Sequence, residues 1–293
     1  MTDIARSASA RQWQAKWSIG IYSGPSPLEL SPLAANTDPV FTAEHIPGQW
    51  AGFVADPFLF PVDGRWFMFF EIWNRKRQLG EIGCAVSGDL LHWEYLGLAL
   101  SEPFHLSYPH VFKAGGRFYL LPETKQAGAV RLYRAHEFPL TWTLERELFA
   151  GNYADPSPFF HEGRWWIFAQ RGLDELRIFH APEPEGPWQR HADGPQWPGN
   201  RTYTRPAGRT IHYQNAIYRF AQDGSISYGN NVRMMEVNVL DPEAFLDREI
   251  SRSPFLGPGE SGWNAMGMHH IDLHQTAAGQ WVAAVDGANL GCF

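Results

Sequence analysis

Cysteine is nearly absent from this chain, and charge is sparse. Only Cys84 and Cys292 occur in 293 residues, too few for the disulfide framework of a small secreted domain. Both are read as free thiols of a reducing compartment. No apolar run approaches the roughly 20 residues of a membrane-spanning helix. Residues 1–17 carry Arg6, Arg11 and Lys16 and have no apolar stretch, so no secretory signal is expected and the expected location is cytoplasmic. Lys and Arg number 24 against 31 Asp and Glu, for a net charge of −7. That balance excludes a nucleic-acid partner, which needs a basic face to displace counterions.

Aromatics are what the chain has in surplus: 15% of residues, 13 of them Trp, alongside 28 Gly and 22 Pro. This composition favours short strands joined by tight turns. A hydrophobic fraction of 44% supports a large core and excludes general disorder. Indole and phenol faces also suit the apolar face of a sugar ring.

Internal repetition sets the fold. Ala55-Asp56-Pro57-Phe58 leads to Gly64-Arg65-Trp66 and on to Glu71; Ser107-Tyr108-Pro109-His110 leads to Gly116-Arg117-Phe118 and Glu123; Ala154-Asp155-Pro156-Ser157 leads to Gly163-Arg164-Trp165 and Gln170. In each, the polar residue ending the second strand stands 14 positions after the proline. Weaker copies follow at Thr204-Arg205-Pro206, leading to Gln222 and Asp223, and at Met268-His269-His270, leading to Asp286. Trp93, Trp142 and Trp188 recur in the outer-strand phase and are read as blade packing. A period near 50 residues with several strands per copy indicates propeller blades. The expectation is an all-β, single-domain, five-bladed β-propeller over 1–293, with inner strands starting near 55, 107, 154, 204 and 268. The last copy has room for two strands only, so residues 16–23 are expected to close the ring against it and leave no open edge.

In a propeller, equivalent positions of all blades meet at the axis. One ring then holds Asp56, Tyr108 with His110, Asp155, Arg205 and His269 or His270. A second holds Glu71, Glu123, Gln170, Asp223 and Asp286. Carboxyls gathered round one axis repel, which raises some of their pKa values. Such a set fits chemistry at a glycosidic bond, where one carboxyl is protonated and another ionised. The candidate catalytic residues are Asp56 as base or nucleophile, Glu123 or Asp155 as acid, and Glu71 tuning that acid. Tyr108, His110, Arg205, Asp223, His269, His270, Asp286 and Trp73 are the candidate substrate-binding residues, with Arg205 suited to a carboxylate or phosphate. The plainer alternative is that the Asp-Pro pairs only shape turns. His270, Asp272 and His274 share one strand face but spread over roughly 14 Å, too far for one ion. No metal and no cofactor are expected.

Trp17-Ser18-Ile19-Gly20-Ile21-Tyr22-Ser23-Gly24, Phe69-Phe70-Glu71, His105-Leu106-Ser107-Tyr108-Pro109, Leu121-Pro122-Glu123 and Arg205-Pro206-Ala207-Gly208 resemble the N-terminal domain of glucosamine inositolphosphorylceramide transferases, over nearly the whole chain. The resemblance implies a five-bladed propeller distantly similar to the furanosidase clan of arabinanases, xylosidases and fructosidases. It also implies a carbohydrate context; in the plant transferases, sugar transfer resides in a separate C-terminal domain. The clan's first-blade catalytic acid falls on Asp56, its second-blade Asp on Tyr108 and its third-blade Glu on Asp155. The leading expectation is an enzyme, a glycoside hydrolase or glycosyl transferase acting on a glycoside or sugar conjugate. The alternative is a non-catalytic sugar-binding propeller that serves a partner sugar-modifying enzyme.

Overall fold

A computed structural model describes residues 13–33, 39–48, 50–194 and 196–292. The first twelve residues and the Cys292 side chain lie outside that description, while Cys84 is a buried free thiol. Among the described residues, twenty-one strands form five antiparallel sheets arranged as blades. The closing strands β1 (Trp13–Ser26) and β2 (Glu29–Pro32) come first. Blade one is β3 (Ala51–Val62), β4 (Arg65–Asn74), β5 (Leu79–Ser87) and β6 (Glu94–Leu100). Blade two is β7 (Ser107–Ala114), β8 (Arg117–Glu123), β9 (Ala129–Glu137) and β10 (Thr141–Ala150). Blade three is β11 (Tyr153–His161), β12 (Arg164–Arg171), β13 (Glu175–Ala181) and β14 (Gln189–Arg190). In blade four the inner strand is broken into β15 (Arg205–Pro206) and β16 (Ile211–Tyr213), followed by β17 (Ala216–Asp223), β18 (Asn231–Leu240) and β19 (Phe245–Glu249). Blade five has β20 (Ile271–Gln275) and β21 (Trp281–Cys292) inside, with β1 and β2 outside.

The ring therefore closes as expected. β1 pairs with β21 from Trp13↔Cys292 through Gly24↔Trp281, so the first and last described strands share one sheet. Side chains alternate across each strand, and the core follows from that. Along β4, Phe67 and Phe69 pack toward blade two, while Met68, Phe70 and Ile72 pack toward blade five. Each of the five blade boundaries holds its own apolar cluster. The recurring Gly-Arg pairs also have a cause. Gly64, Gly116 and Gly163 adopt φ of 76°, 79° and 77° in the turn between first and second strands, a left-handed conformation that favours glycine. The recurring tryptophans tie their blade edges: the indole N–H of Trp93, Trp142 and Trp188 donates to the carbonyl of Leu90, Pro139 and Pro184. Among the described residues no helix is long and apolar enough to cross a membrane.

Candidate functional site

The first three inner strands share a device that the repeat motif encodes. Pairing slips by one residue between Ala55 and Phe58, between Ser107 and His110, and between Ala154 and Ser157. The bulged residues Asp56, Tyr108 and Asp155 have φ of 51°, 48° and 51°. Left-handed backbone at a non-glycine residue costs energy and clusters at functional positions. A bulge also removes the residue's N–H from the ladder, and a buried N–H needs another acceptor. Carboxylates from the preceding blade supply it. Asp56 N–H donates to Asp286 Oδ2 (3.0 Å), Tyr108 N–H to Asp56 Oδ2 (3.1 Å) and Asp155 N–H to Glu123 Oε2 (3.3 Å). These axial acids are thus structural acceptors whatever else they do.

Above them opens a cavity of about 620 Å³, lined by Trp17, Gly52, Phe53, Ala55, Glu71, Trp73, Arg75, Gln78, His105, Ser107, Glu123, Arg205, Tyr228 and His269. Its size falls within the range of ligand sites. Of five acids from the two rings, Glu71 and Glu123 line this cavity, while Asp56, Asp155 and Asp286 lie behind its lining. Asp155 and Asp286 are sealed, and each faces a basic side chain. Arg205 Nε lies 2.5 Å from Asp155 Oδ2, and its Nη2 lies 3.4 Å from Oδ1. His269 Nδ1 lies 2.7 Å from Asp286 Oδ2. Burial opposes charge on both members of that second pair, but their mutual attraction outweighs it, lowering the Asp286 pKa and raising that of His269.

Asp56, Glu71 and Glu123 behave differently, each with about a tenth of its side chain still exposed. Burial first, then neighbouring carboxylates, pushes Glu71 well above the usual carboxylate range. The same causes raise Glu123 to about 8, with Asp155 the main neighbour. Asp56 rises to about 7, chiefly by burial, with His269 pulling the other way. Glu71 and Glu123, which line the cavity, are therefore pushed toward the protonated form, whereas Asp56, beside the lining residue Ala55, ionises before Glu123.

The remaining expected residues are distributed as follows. Trp73 lines the cavity and stacks on Phe53, centroids 5.9 Å apart and nearly parallel. Tyr108 is buried, its hydroxyl held by Ser157 Oγ (2.7 Å) and by the N–H and carbonyl of Gly208 (2.6 and 3.0 Å). It pins blades two, three and four at the axis and does not line the cavity. His110 and His270 are fully buried below the floor. His270 Nε2 contacts the Pro57 carbonyl at 3.1 Å, and burial lowers its pKa to about 4. His110 Nε2 sits 3.1 Å from Arg209, which also pairs with Asp272 at 2.9 Å and forms a second axial clasp. Asp223 is bound to Arg233 and Ser225, away from the cavity. Gln170 donates to Leu173 and Thr204.

Sequence reasoning did not assign a site role to Trp17, His105 or Tyr228. Trp17 stacks on His269, centroids 3.9 Å apart. The Tyr228 ring lies 5.3 Å from the Arg205 guanidinium. Trp17 and His105 stand inside stretches already singled out, whereas Tyr228 sits in a Gly- and Ser-rich loop without a signal. Among the described residues the grouping with metal-ligand spacing is Asp56, His269 and Asp286, within 4.8 Å of one another. There both Asp286 oxygens already accept, from the N–H groups of Asp56, His269 and His270.

Glucosamine inositolphosphorylceramide transferase 1 of Oryza sativa subsp. japonica is 37% identical over 302 residues, covering 94% of this chain and 40% of its own length. The chain thus spans about two fifths of that relative. Among solved structures, a putative glycoside hydrolase of Parabacteroides distasonis superposes with a TM-score of 0.62 at 13% identity, covering 80% of this chain and 86% of that one. An α-L-arabinanase of Cellvibrio cellulosa, complexed with arabinohexaose, gives 0.57 at 14% identity, covering 79% and 90%. At such identities these two likenesses speak for the propeller fold alone. Residues 10–288 match the family described as glucosamine inositolphosphorylceramide transferase 1, N-terminal, and the chain belongs to that family.

Proposed function

We propose that the funnel receives a sugar conjugate and acts on it by acid–base chemistry at a glycosidic bond. Glu123 serves as the acid, Asp56 as base or nucleophile, and Glu71 is a second carboxyl of raised pKa on the cavity wall. Support comes above all from one observation: the Glu71 and Glu123 carboxyls that line the cavity are both pushed toward the protonated form, Glu123 to a pKa of about 8, while Asp56, at about 7, gives up its proton before Glu123 does. A protonated carboxyl within reach of a bound glycoside is what leaving-group protonation requires. Trp17, Trp73 and Tyr228 supply faces for ring stacking. Arg205 spends two nitrogens on Asp155, which leaves it a single-point partner for a phosphate or carboxylate. The relative's name pairs glucosamine with inositolphosphorylceramide, and an anionic inositol conjugate suits this mixture of rings, acids and one cation.

A second reading is favoured by Tyr108. The position where the furanosidase clan carries its second-blade acid is filled here by a phenol whose hydroxyl is fully engaged in holding blades together. On that reading the propeller binds the conjugate for a partner sugar-modifying enzyme. Binding and turnover of glucosamine, myo-inositol 1-phosphate and glucosaminyl-inositol phosphate separate the two. Loss of turnover with retained affinity in Asp56→Asn and Glu123→Gln supports the enzyme. Wild-type binding without turnover supports the module. No wild-type binding to any of the three rejects both.

A further inference from the structure

His105 stands between β6 and β7, outside the repeat phase, and is held once at its ring and once at its backbone. The Gly80 N–H donates to its Nδ1 at 2.8 Å, and its own backbone N–H donates to Gln126 Oε1 at 2.9 Å. A backbone N–H can only donate, so Nδ1 must carry a lone pair. In the neutral ring the proton then sits on Nε2. Burial lowers the His105 pKa, which keeps the ring neutral near pH 7. Both His105 and Glu71 line the cavity, and Glu71 Oε1 stands 3.7 Å from Nε2. That separation is too long for a hydrogen bond, so neither group satisfies the other.

Gly80 makes this approach possible. A Cβ there would lie 2.2 Å from the Leu106 carbonyl oxygen, and 2.8 Å from both Glu71 Oε1 and His105 Cε1. Only a residue without a side chain lets the strand, the carboxyl and the imidazole crowd together. The Trp73 ring stands 6.0 Å from the imidazole, tilted by 53°. One wall of the cavity therefore combines an aromatic face with an oriented donor and an adjacent carboxyl, both short of partners.

Building on the carbohydrate reading above, we propose that Trp73, His105 and Glu71 form a subsite for the vicinal diol of a neutral sugar or cyclitol ring, with His105 as its specificity-determining donor. The ring leans on Trp73. One hydroxyl oxygen accepts the Nε2–H, and the neighbouring hydroxyl donates to Glu71. A pair of side-by-side polar atoms matches two adjacent hydroxyls and penalises a ring that lacks one of them, because a partly buried donor is then left unpaired.

Two substitutions separate recognition from support. Asn at 105 places an acceptor where Nδ1 stands, so the Gly80 N–H stays satisfied, but it cannot reach the cavity. Gln reaches the Nε2 position with a donor. With myo-inositol 1-phosphate as probe in titration calorimetry, His105→Asn is expected to bind about tenfold more weakly than wild type at an unchanged melting temperature. His105→Gln is expected to stay within about threefold. Wild type is expected to lose about tenfold against at least one monodeoxy analogue, and His105→Asn to lose nothing more against that analogue. Side-chain ¹⁵N spectra are expected to show His105 protonated on Nε2. Equal binding by wild type and His105→Asn, indifference to every monodeoxy analogue, or a proton on Nδ1 would each overturn the subsite. Failure of wild type to bind any probe would instead sink the carbohydrate reading beneath it.

Discussion

Asp286 is the acid whose removal tests the axial arrangement most directly. Its two oxygens take N–H donors from Asp56, His269 and His270 at 3.0 to 3.1 Å and face the His269 ring at 2.7 Å. The residue is fully buried. Asp286→Ala leaves three buried backbone donors without an acceptor, at about 1 kcal/mol or more each. His269 can shed its proton and escape the cost of an unpaired charge, so it adds about 1 kcal/mol of lost pairing rather than several. The expected loss is about 4 kcal/mol for Asp286→Ala, and about 2 kcal/mol for Asp286→Asn, which keeps one acceptor oxygen. Urea unfolding followed by tryptophan fluorescence reads this as a shift in midpoint at constant slope. Because Asp56 belongs to blade one and Asp286 to blade five, the loss should be shared by the blade junction and not confined to β21. A loss below about 1 kcal/mol for Asp286→Ala would refute the claim that this carboxylate holds the bulged strands.

Two more expectations follow. Stability should fall as pH rises from about 5 to 8: Asp56, Glu71 and Glu123 have folded pKa values raised above their unfolded ones, so the folded state binds more protons across that window and loses ground as they leave. His269, raised by Asp286, acts in the same direction above about pH 6.5, whereas the depressed Asp286 costs stability only under acid conditions. Glu71→Gln and Glu123→Gln should each flatten the slope in pH-dependent urea midpoints, and an unchanged slope would contradict the proton-holding assignment. Tyr108→Phe should cost about 2 kcal/mol, because the Gly208 N–H and Ser157 lose their partner, yet leave affinity for any funnel ligand unchanged; a selective loss of affinity would place Tyr108 in the site after all.

The propeller was legible because its blades repeat a bulge. In the first three blades the residue before the proline takes left-handed backbone and the glycine after the first strand turns, so the motif survives even where the packing residues differ. Blade four was harder to read, since β15 and β16 split its inner strand and Gly208 replaces the continuous run. The axial residues could be listed from the repeat phase, but not sorted by height. Asp56, Tyr108 and Asp155 share one phase, yet only Asp56 keeps some exposure, because Arg205 and Gly208 cover the other two. His105 and Tyr228 arrive on connections that follow no period, and contacts of that kind are written in tertiary geometry alone.

Trp17 gives the closing strand a second consequence. The residue that walls the cavity over His269 rides on β1, and β1 is anchored by pairing with β21, the last of the described strands. During synthesis on a ribosome, the earliest strand must wait for the latest before that wall can stand. The cavity would then be complete only once β21 has been made, and a nascent or shortened chain lacking β21 would display its blades with that wall unsupported.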